Sequence, residues 1–253
     1  MNVETVKTQL RSLRLSAAAR ELEQVLMQHR KAVNLDWFSD LLSRELEARK
    51  QNALKLRFKQ AGFPEETSLE RFDFLFNPEI DETKIRELAT LKFVDENGIA
   101  LLLGPVGVGK THVALALGVA AAHLGHRVYW ATHKKLIEHV ALAKADHTLD
   151  QFFQRMLSCK VWIIDDWAAV SMNREIAEEV FDLIDRRKYS AALVLTSNRD
   201  VTEWGEAFPN SVLANATIDR LFEQAHTVVF KGKSYRLKGR ITTRAVDSAL
   251  RTP

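Results

Sequence analysis

A chain of 253 residues, 46% hydrophobic, with a formal net charge of +3, can bury one large core or a mid-sized core beside a small one. No apolar run approaches the roughly 20 residues that span a bilayer, and the opening MNVETVKTQLRSLRLS carries charges where a signal peptide needs an apolar stretch, so no membrane association and a cytoplasmic location are expected. The single cysteine, Cys159, excludes an internal disulfide, and the eight histidines show no HExxH or paired-ligand spacing that would suggest structural zinc.

Charge is uneven along the chain. Residues 1–60 hold 12 Lys/Arg against 7 Asp/Glu (+5), residues 61–230 hold 17 against 25 (−8), and residues 231–253 hold 7 against 1 (+6). Basic ends around an acidic middle suit phosphate-backbone contacts, although solvated helix faces carry such charge too.

In chain order, Val3, Val6, Leu10, Leu13 and Ala17 recur every three or four residues and predict a helix. Ser16 is placed to cap a second helix carrying Ala18, Leu22, Val25 and Leu26. Asn34 or Asp36 is placed to cap a third, carrying Phe38, Leu41, Leu42 and Leu46 and continuing into RELEARKQNALKLRFKQ. Gly62 and Pro64 in AGFPEETS mark a boundary near residue 65. The predicted organisation is therefore a helical N-terminal domain over 1–65, a linker with a lead-in helix over 66–97, and a larger domain over 98–253 ending in a basic tail.

From residue 98 the short apolar runs IALLLG, RVYWA, VWIIDD, AALVLTS and HTVVF alternate with helical patterns. This is the rhythm of βαβ units, and it predicts an α/β fold with a mostly parallel sheet whose function lies at the carboxyl ends of the strands. Directly after the first strand comes GPVGVGKTH, which fits G-x-x-x-x-G-K-[ST] and leads into the apolar helix VALALGVAAAHL. The whole loop, Gly104, Pro105, Val106, Gly107, Val108, Gly109, Lys110, Thr111 and His112, is assigned to a nucleotide. Its backbone N–H groups wrap the phosphates at the positive end of a helix, Lys110 reaches the β- and γ-phosphates, and the Thr111 hydroxyl is a Mg²⁺ ligand.

Two adjacent carboxylates end the strand VWIID-D. Such a pair is costly unless a cation or a proton transfer uses it. Asp165 is assigned to Mg²⁺ and Asp166 to orienting and polarising an attacking water, which favours an ATPase over a phosphate-to-phosphate kinase. Asn198, at the end of AALVLTSN, is placed to hydrogen-bond the γ-phosphate or that water; a strand-end turn of Ser197, Asn198 and Asp200 is the simpler alternative.

These residues resemble a known family. GPVGVGKTH, WIIDDW, TSNRDVTEW and IDRLFEQAHTVVFKGKSYR look like the AAA+ ATPases of the IstB type, helper proteins encoded beside the transposase of IS21-like insertion sequences. LRSLRLSAAARELEQ, DWFSDLLSRELEARK and SLERFDF are similar to that family's helical domain and linker. The resemblance implies a P-loop AAA+ core, ATP and Mg²⁺ as cofactors, and a homo-oligomer on duplex DNA that hands a target site to the element's transposase, with DNA or transposase stimulating hydrolysis. It also implies that Arg220 is the finger arginine reaching a neighbouring subunit's ATP, and that Arg236 is the sensor arginine closing on the γ-phosphate of its own subunit. Two departures stand out: Asp166 replaces the commoner glutamate, and Trp167 and Ala168 occupy a turn that commonly holds glycine or another small residue. A DnaC-like helicase loader and a nucleotide-gated DNA scaffold with little hydrolysis are the rival readings. Lys134 and Lys135, after RVYWA, are candidate DNA contacts.

Overall fold

The computed structural model describes residues 3–28 and 35–237. They fall into two compact units, Met1–Leu56 and Arg57–Pro253.

The first unit is helical. Helix α1 spans Val3–Ser12, α2 Ser16–Gln28, and α3 Asp36–Ala61, the last running on into the second unit. Val6, Leu10, Leu13, Ala19 and Leu42 form its buried core, and each large aliphatic buried there contributes about 1.5–3 kcal/mol. The apolar periodicity predicts one helix through Ala17, but the chain turns after Ser12. Arg14 adopts φ +64°, and Leu15 N–H bonds the Leu10 carbonyl. That left-handed turn keeps Leu13 in the core while redirecting Ala17 into α2. Ser16 is the first residue of α2 and Asp36 the first of α3, whereas Asn34 lies outside the described residues. Gln9 ties α1 to α3, donating to Ser43 Oγ at 2.9 Å and accepting from the buried Ser39 Oγ at 2.9 Å.

The second unit is α/β. Gly62 (φ +77°) ends α3, and the stretch 66–97 holds a 3-10 turn at Leu69–Arg71, then the helix α4 (Glu82–Ala89) capped by the Asp81 side chain, then the short α5 (Lys92–Asp95). The predicted strands are present: β1 Ile99–Leu103, β2 Val128–Thr132, β3 Val161–Asp165, β4 Ala192–Ser197 and β5 Ala225–Val229. They form one sheet in the order β2-β3-β4-β1-β5, with every pairing parallel. The near-continuous apolar character of β3 and β4 follows from burial on both faces. Helices α6 (Lys110–His123), α7 (His133–Ala145), α8 (Leu149–Leu157), α9 (Arg174–Arg187) and α10 (Ser211–Phe222) complete the unit. Cys159 is buried just ahead of β3, and Trp162 anchors that strand by donating from Nε1 to the Met156 carbonyl at 2.8 Å.

The order carries the functional consequence. After β1 the chain crosses over β4 and β3 to build β2, so β1 emerges in the sheet interior with β4 and β5 beside it. A crevice opens at the carboxyl end of such a strand.

Candidate nucleotide site

The loop 104–109 leaves β1 held on both sides: Gly104 N–H donates to the Ser197 carbonyl at 3.1 Å, and Phe230 N–H to the Leu103 carbonyl at 2.6 Å. Gly107 (φ +83°) and Gly109 (φ +104°) are glycines for two reasons. Both take left-handed backbone, and a Cβ would strike Ser234 at the first and the Phe72 ring at the second. The loop's tightness is thus matched to segments far away in sequence that close over it.

Gly109 precedes α6, whose first residue is Lys110. The Lys110 ammonium arches back to donate to the Gly104 and Pro105 carbonyls, both at 2.7 Å. Burial pulls its pKa below the usual ammonium range; Asp166 and Asp165 oppose that shift and Arg236 reinforces it. A cavity of about 360 Å³ lies over the loop, lined by 106–112, Asp165, Asp166, Asn198 and Arg236. Every residue assigned to the site in cis thus converges there, with Gly104 and Pro105 beneath, touching Lys110.

Asp165 is buried, 5% exposed. Its carboxylate accepts from Thr111 Oγ1 at 2.9 and 3.2 Å and from Thr196 Oγ1 at 2.6 Å. Asp166 turns the other way. At φ +53° its backbone leaves the strand, and its N–H donates to Thr196 Oγ1 at 3.0 Å. Burial and then the charge of Asp165 raise the Asp166 pKa, while Lys110 and Arg236 work against the rise. One carboxylate is therefore pinned by hydroxyls, and its neighbour lines the cavity with its own pKa raised. The Asp165 and Thr111 oxygens are hard donors beside one another, a set that suits Mg²⁺.

Trp167 explains the departure from a small turn residue. It is 1% exposed and packs against His133 (centroids 4.5 Å apart), Trp204 and Phe208 (6.4 Å each), so the turn carrying Asp166 and Ala168, both at positive φ, is anchored by a large ring. Such strain persists only where surrounding packing over-determines it.

His112 lines the cavity rim, with Nε2 3.0 Å from the Ser68 carbonyl and 3.3 Å from Thr67 Oγ1, which ties α6 to the linker. Arg220 does not line the cavity. It lies on α10, ion-paired to Asp185 at 2.7 Å and to Glu223 at 3.6 Å. Lys134 and Lys135 are exposed at the start of α7, the latter over the Trp130 ring at 5.5 Å. Asp200 caps the 3-10 helix Val201–Ala207 in a capping box with Glu203, so the polar strand-end turn exists beside Asn198.

Sequence reasoning misses several contributors. Thr196 bridges the two acids, and its only signal in the sequence is a hydroxyl near a strand end. Arg71, Phe72, Phe76 and Asn77 line the cavity from the linker, a stretch whose SLERFDF reads only as a connection. Asn77 clasps the backbone of Lys233 with two 2.9 Å bonds, Phe76 meets Tyr235 edge-on at 5.0 Å, and Tyr235 N–H donates to the Gly107 carbonyl at 2.8 Å. The clasp brings Arg236 to the rim. Residues 238–253 of the basic tail lie outside the described residues.

The family described as IstB-like ATP binding protein matches residues 8–243. The chain is 44% identical over 197 residues to a protein of insertion sequence IS21 from Pseudomonas aeruginosa, named for an inferred ATP-binding role, covering 78% of this chain and 74% of that one. It is 35% identical over 238 residues to an insertion-sequence protein of Mycobacterium tuberculosis with a similar name, covering 93% and 95%. Among solved structures, AMPPCP-bound DnaA from Aquifex aeolicus aligns with TM-score 0.56 at 21% identity over 76% of this chain and 61% of that one. The DnaC helicase loader aligns with TM-score 0.52 at 20% identity over 59% and 87%. Both likenesses establish the P-loop AAA+ fold and no more.

Proposed function

The chain belongs to the IstB-like ATP-binding family, and from that premise we propose that it is a Mg²⁺-dependent ATPase that oligomerises on duplex DNA and assists the transposase of its own insertion element. The observation that carries the ATPase reading is the division of labour between Asp165, held by two threonine hydroxyls, and Asp166, turned into the Lys110 cavity with a raised pKa.

In this reading the loop amides and the α6 N-terminus hold the ATP phosphates, and Lys110 exchanges its two carbonyl partners for phosphate oxygens. Thr111 and Asp165 would hold Mg²⁺, which when bound neutralises developing charge on the phosphates. Asp166 orients the attacking water and accepts its proton at the carboxylate, a task suited to a carboxylate more basic than usual. Asn198 fixes the water or γ-phosphate, Arg236 closes from the clasped C-terminal segment, and Phe72 and Phe76 shield one side of the cavity. Arg220 acts on a neighbouring subunit, which makes the oligomer the complete enzyme.

The likeness to the helicase loader extends to the fold alone, whereas the family match runs through nearly the whole chain, and this favours transposition over loading. Measured ATP turnover alone, with duplex DNA, and with DNA plus the element's transposase tests the proposal. The expected order is rising turnover across the three conditions. Flat, negligible turnover in all of them would leave a nucleotide-gated scaffold.

A further inference from the structure

Among the described residues, the second unit holds another cavity with a distinct chemistry. About 630 Å³ in volume, it lies at the start of the edge strand β2 between the end of α7 and the start of α8. Arg57, Arg127 and Arg155 line it, and Asp146 is the single acidic side chain that does so among the described residues.

The pairing of arginines across this unit makes the cluster informative. Between residues 57 and 237, five arginines have carboxylate partners, as in Arg86–Glu82 and Arg174–Glu178. Arg187 is buried and bonded to the Asn97 and Ala191 carbonyls. The five that remain have no carboxylate partner among the described residues, and they fall into two groups. Arg71 and Arg236 line the P-loop cavity, where an anion is expected, and Arg57, Arg127 and Arg155 line the second one. In a segment whose net charge is −8 (17 against 25 over 61–230), guanidinium groups have many carboxylates to choose from, so clustering without them is a directed cost.

The cavity adds donors of its own. Thr148, the residue just ahead of α8, lies there with its hydroxyl turned away to the Ala143 carbonyl (3.4 Å), so it does not cap the first-turn amides. Gln151 lies on that turn, and Arg155 is held over the Phe152 ring at 5.4 Å, a pre-positioned guanidinium. Planar guanidinium forks beside free helix amides match a phosphodiester, and no base-reading element accompanies them.

We propose that this cavity is a phosphate-binding site for nucleic acid, separate from the ATP site. The assignment rests on the DNA-binding reading above and names residues for it. A phosphodiester is favoured over a free phosphate because two of the three arginines are exposed on the rim, as needed for a strand passing by.

The test uses the full chain in its ATP-bound form on fluorescent duplex DNA, comparing wild type with Arg57→Gln/Arg127→Gln/Arg155→Gln over a salt series. Each phosphate that the triple variant no longer neutralises should reduce the log–log salt slope by about 0.9 per engaged protomer. The drop in affinity should be equal on unrelated sequences, with ATP affinity and melting temperature retained. An unchanged slope in the triple variant, with wild type steep, overturns the site while leaving the DNA reading standing. A wild type that itself shows no salt-dependent binding overturns both. If inorganic phosphate at fixed ionic strength raises the wild-type melting temperature and the triple variant binds DNA normally, the site belongs to free phosphate and the DNA assignment fails.

Discussion

Thr196 Oγ1 donates to Asp165 Oδ1 at 2.6 Å and accepts the Asp166 N–H at 3.0 Å, so one buried hydroxyl on β4 sets the orientation of both acids at the end of β3. A valine has the same shape without the bonds. Thr196→Val should deprive the buried Asp165 carboxylate of a donor and the part-buried Asp166 N–H of its acceptor, and lower stability by about 1–3 kcal/mol. It should also reduce turnover more than ATP affinity. Thermal melting and kcat against Kd check this, and Thr196→Ser should recover both. Wild-type turnover in the valine variant would remove Thr196 from the site.

Lys110 and Asp166 should separate binding from chemistry. Lys110→Ala should abolish ATP binding, because the charge on the phosphates is gone, whereas Asp166→Asn should keep binding and lose turnover. Equal loss of nucleotide affinity in both variants, by calorimetry, would contradict the role given to Asp166.

Asp166 also makes a prediction about pH. Its folded pKa is raised, so between the ordinary aspartate value and the raised value the native state holds more protons than the unfolded state. The resulting stability is fully present below the unfolded pKa and is lost as pH rises through the folded one. At neutral pH the charged Asp166 is therefore destabilising. Asp166→Asn should melt higher than wild type at pH 7, with the gap closing as pH falls past the ordinary aspartate range. A lower melting temperature at pH 7 would show that Asp166 is stabilising.

His133 predicts acid sensitivity of the opposite sign. It is fully buried against Trp167, neither ring nitrogen has a hydrogen-bond partner among the described residues, and burial lowers its pKa to about 4. Stability from the neutral ring is present above an unfolded pKa near 6.5 and is lost as pH falls toward 4, by at most about 3 kcal/mol. His133→Phe keeps the ring packing and removes the titration. Its melting temperature should hold at pH 7 and fall less than that of wild type between about pH 6.5 and 4. Parallel melting curves would refute this.

Arg220 stands outside its own cavity in a partly exposed cluster with Asp185 and Glu223, an arrangement of little worth to stability. Arg220→Ala should melt like wild type and bind ATP, but hydrolyse it about 10³- to 10⁵-fold more slowly. Mixing it with Asp166→Asn should restore part of the activity, since some interfaces then join an intact site to an intact finger. If mixed oligomers form and stay as inactive as their parents, Arg220 does not act between subunits.

The parts of this protein legible from sequence alone are those whose physics is local. The loop 104–112 is a contiguous strand–turn–helix, the strands are short buried runs with turn residues between, and Asp165 and Asp166 declare themselves by adjacency. Periodicity could not find the break after Ser12, because Leu13 and Ala19 stay buried on either side of a turn that only Arg14 and helix packing decide. Nor could it pair Thr196 with Asp165, Phe72 with Gly109, Asn77 with Lys233, or the three arginines with one another. Those relationships join residues tens of positions apart, and they exist because a parallel sheet aligns the ends of β3, β4 and β1 at one edge while the linker and the C-terminal segment fold over it. Hydrogen bonds and close packing depend on distances of a few ångströms, and across such separations the tertiary fold alone sets them.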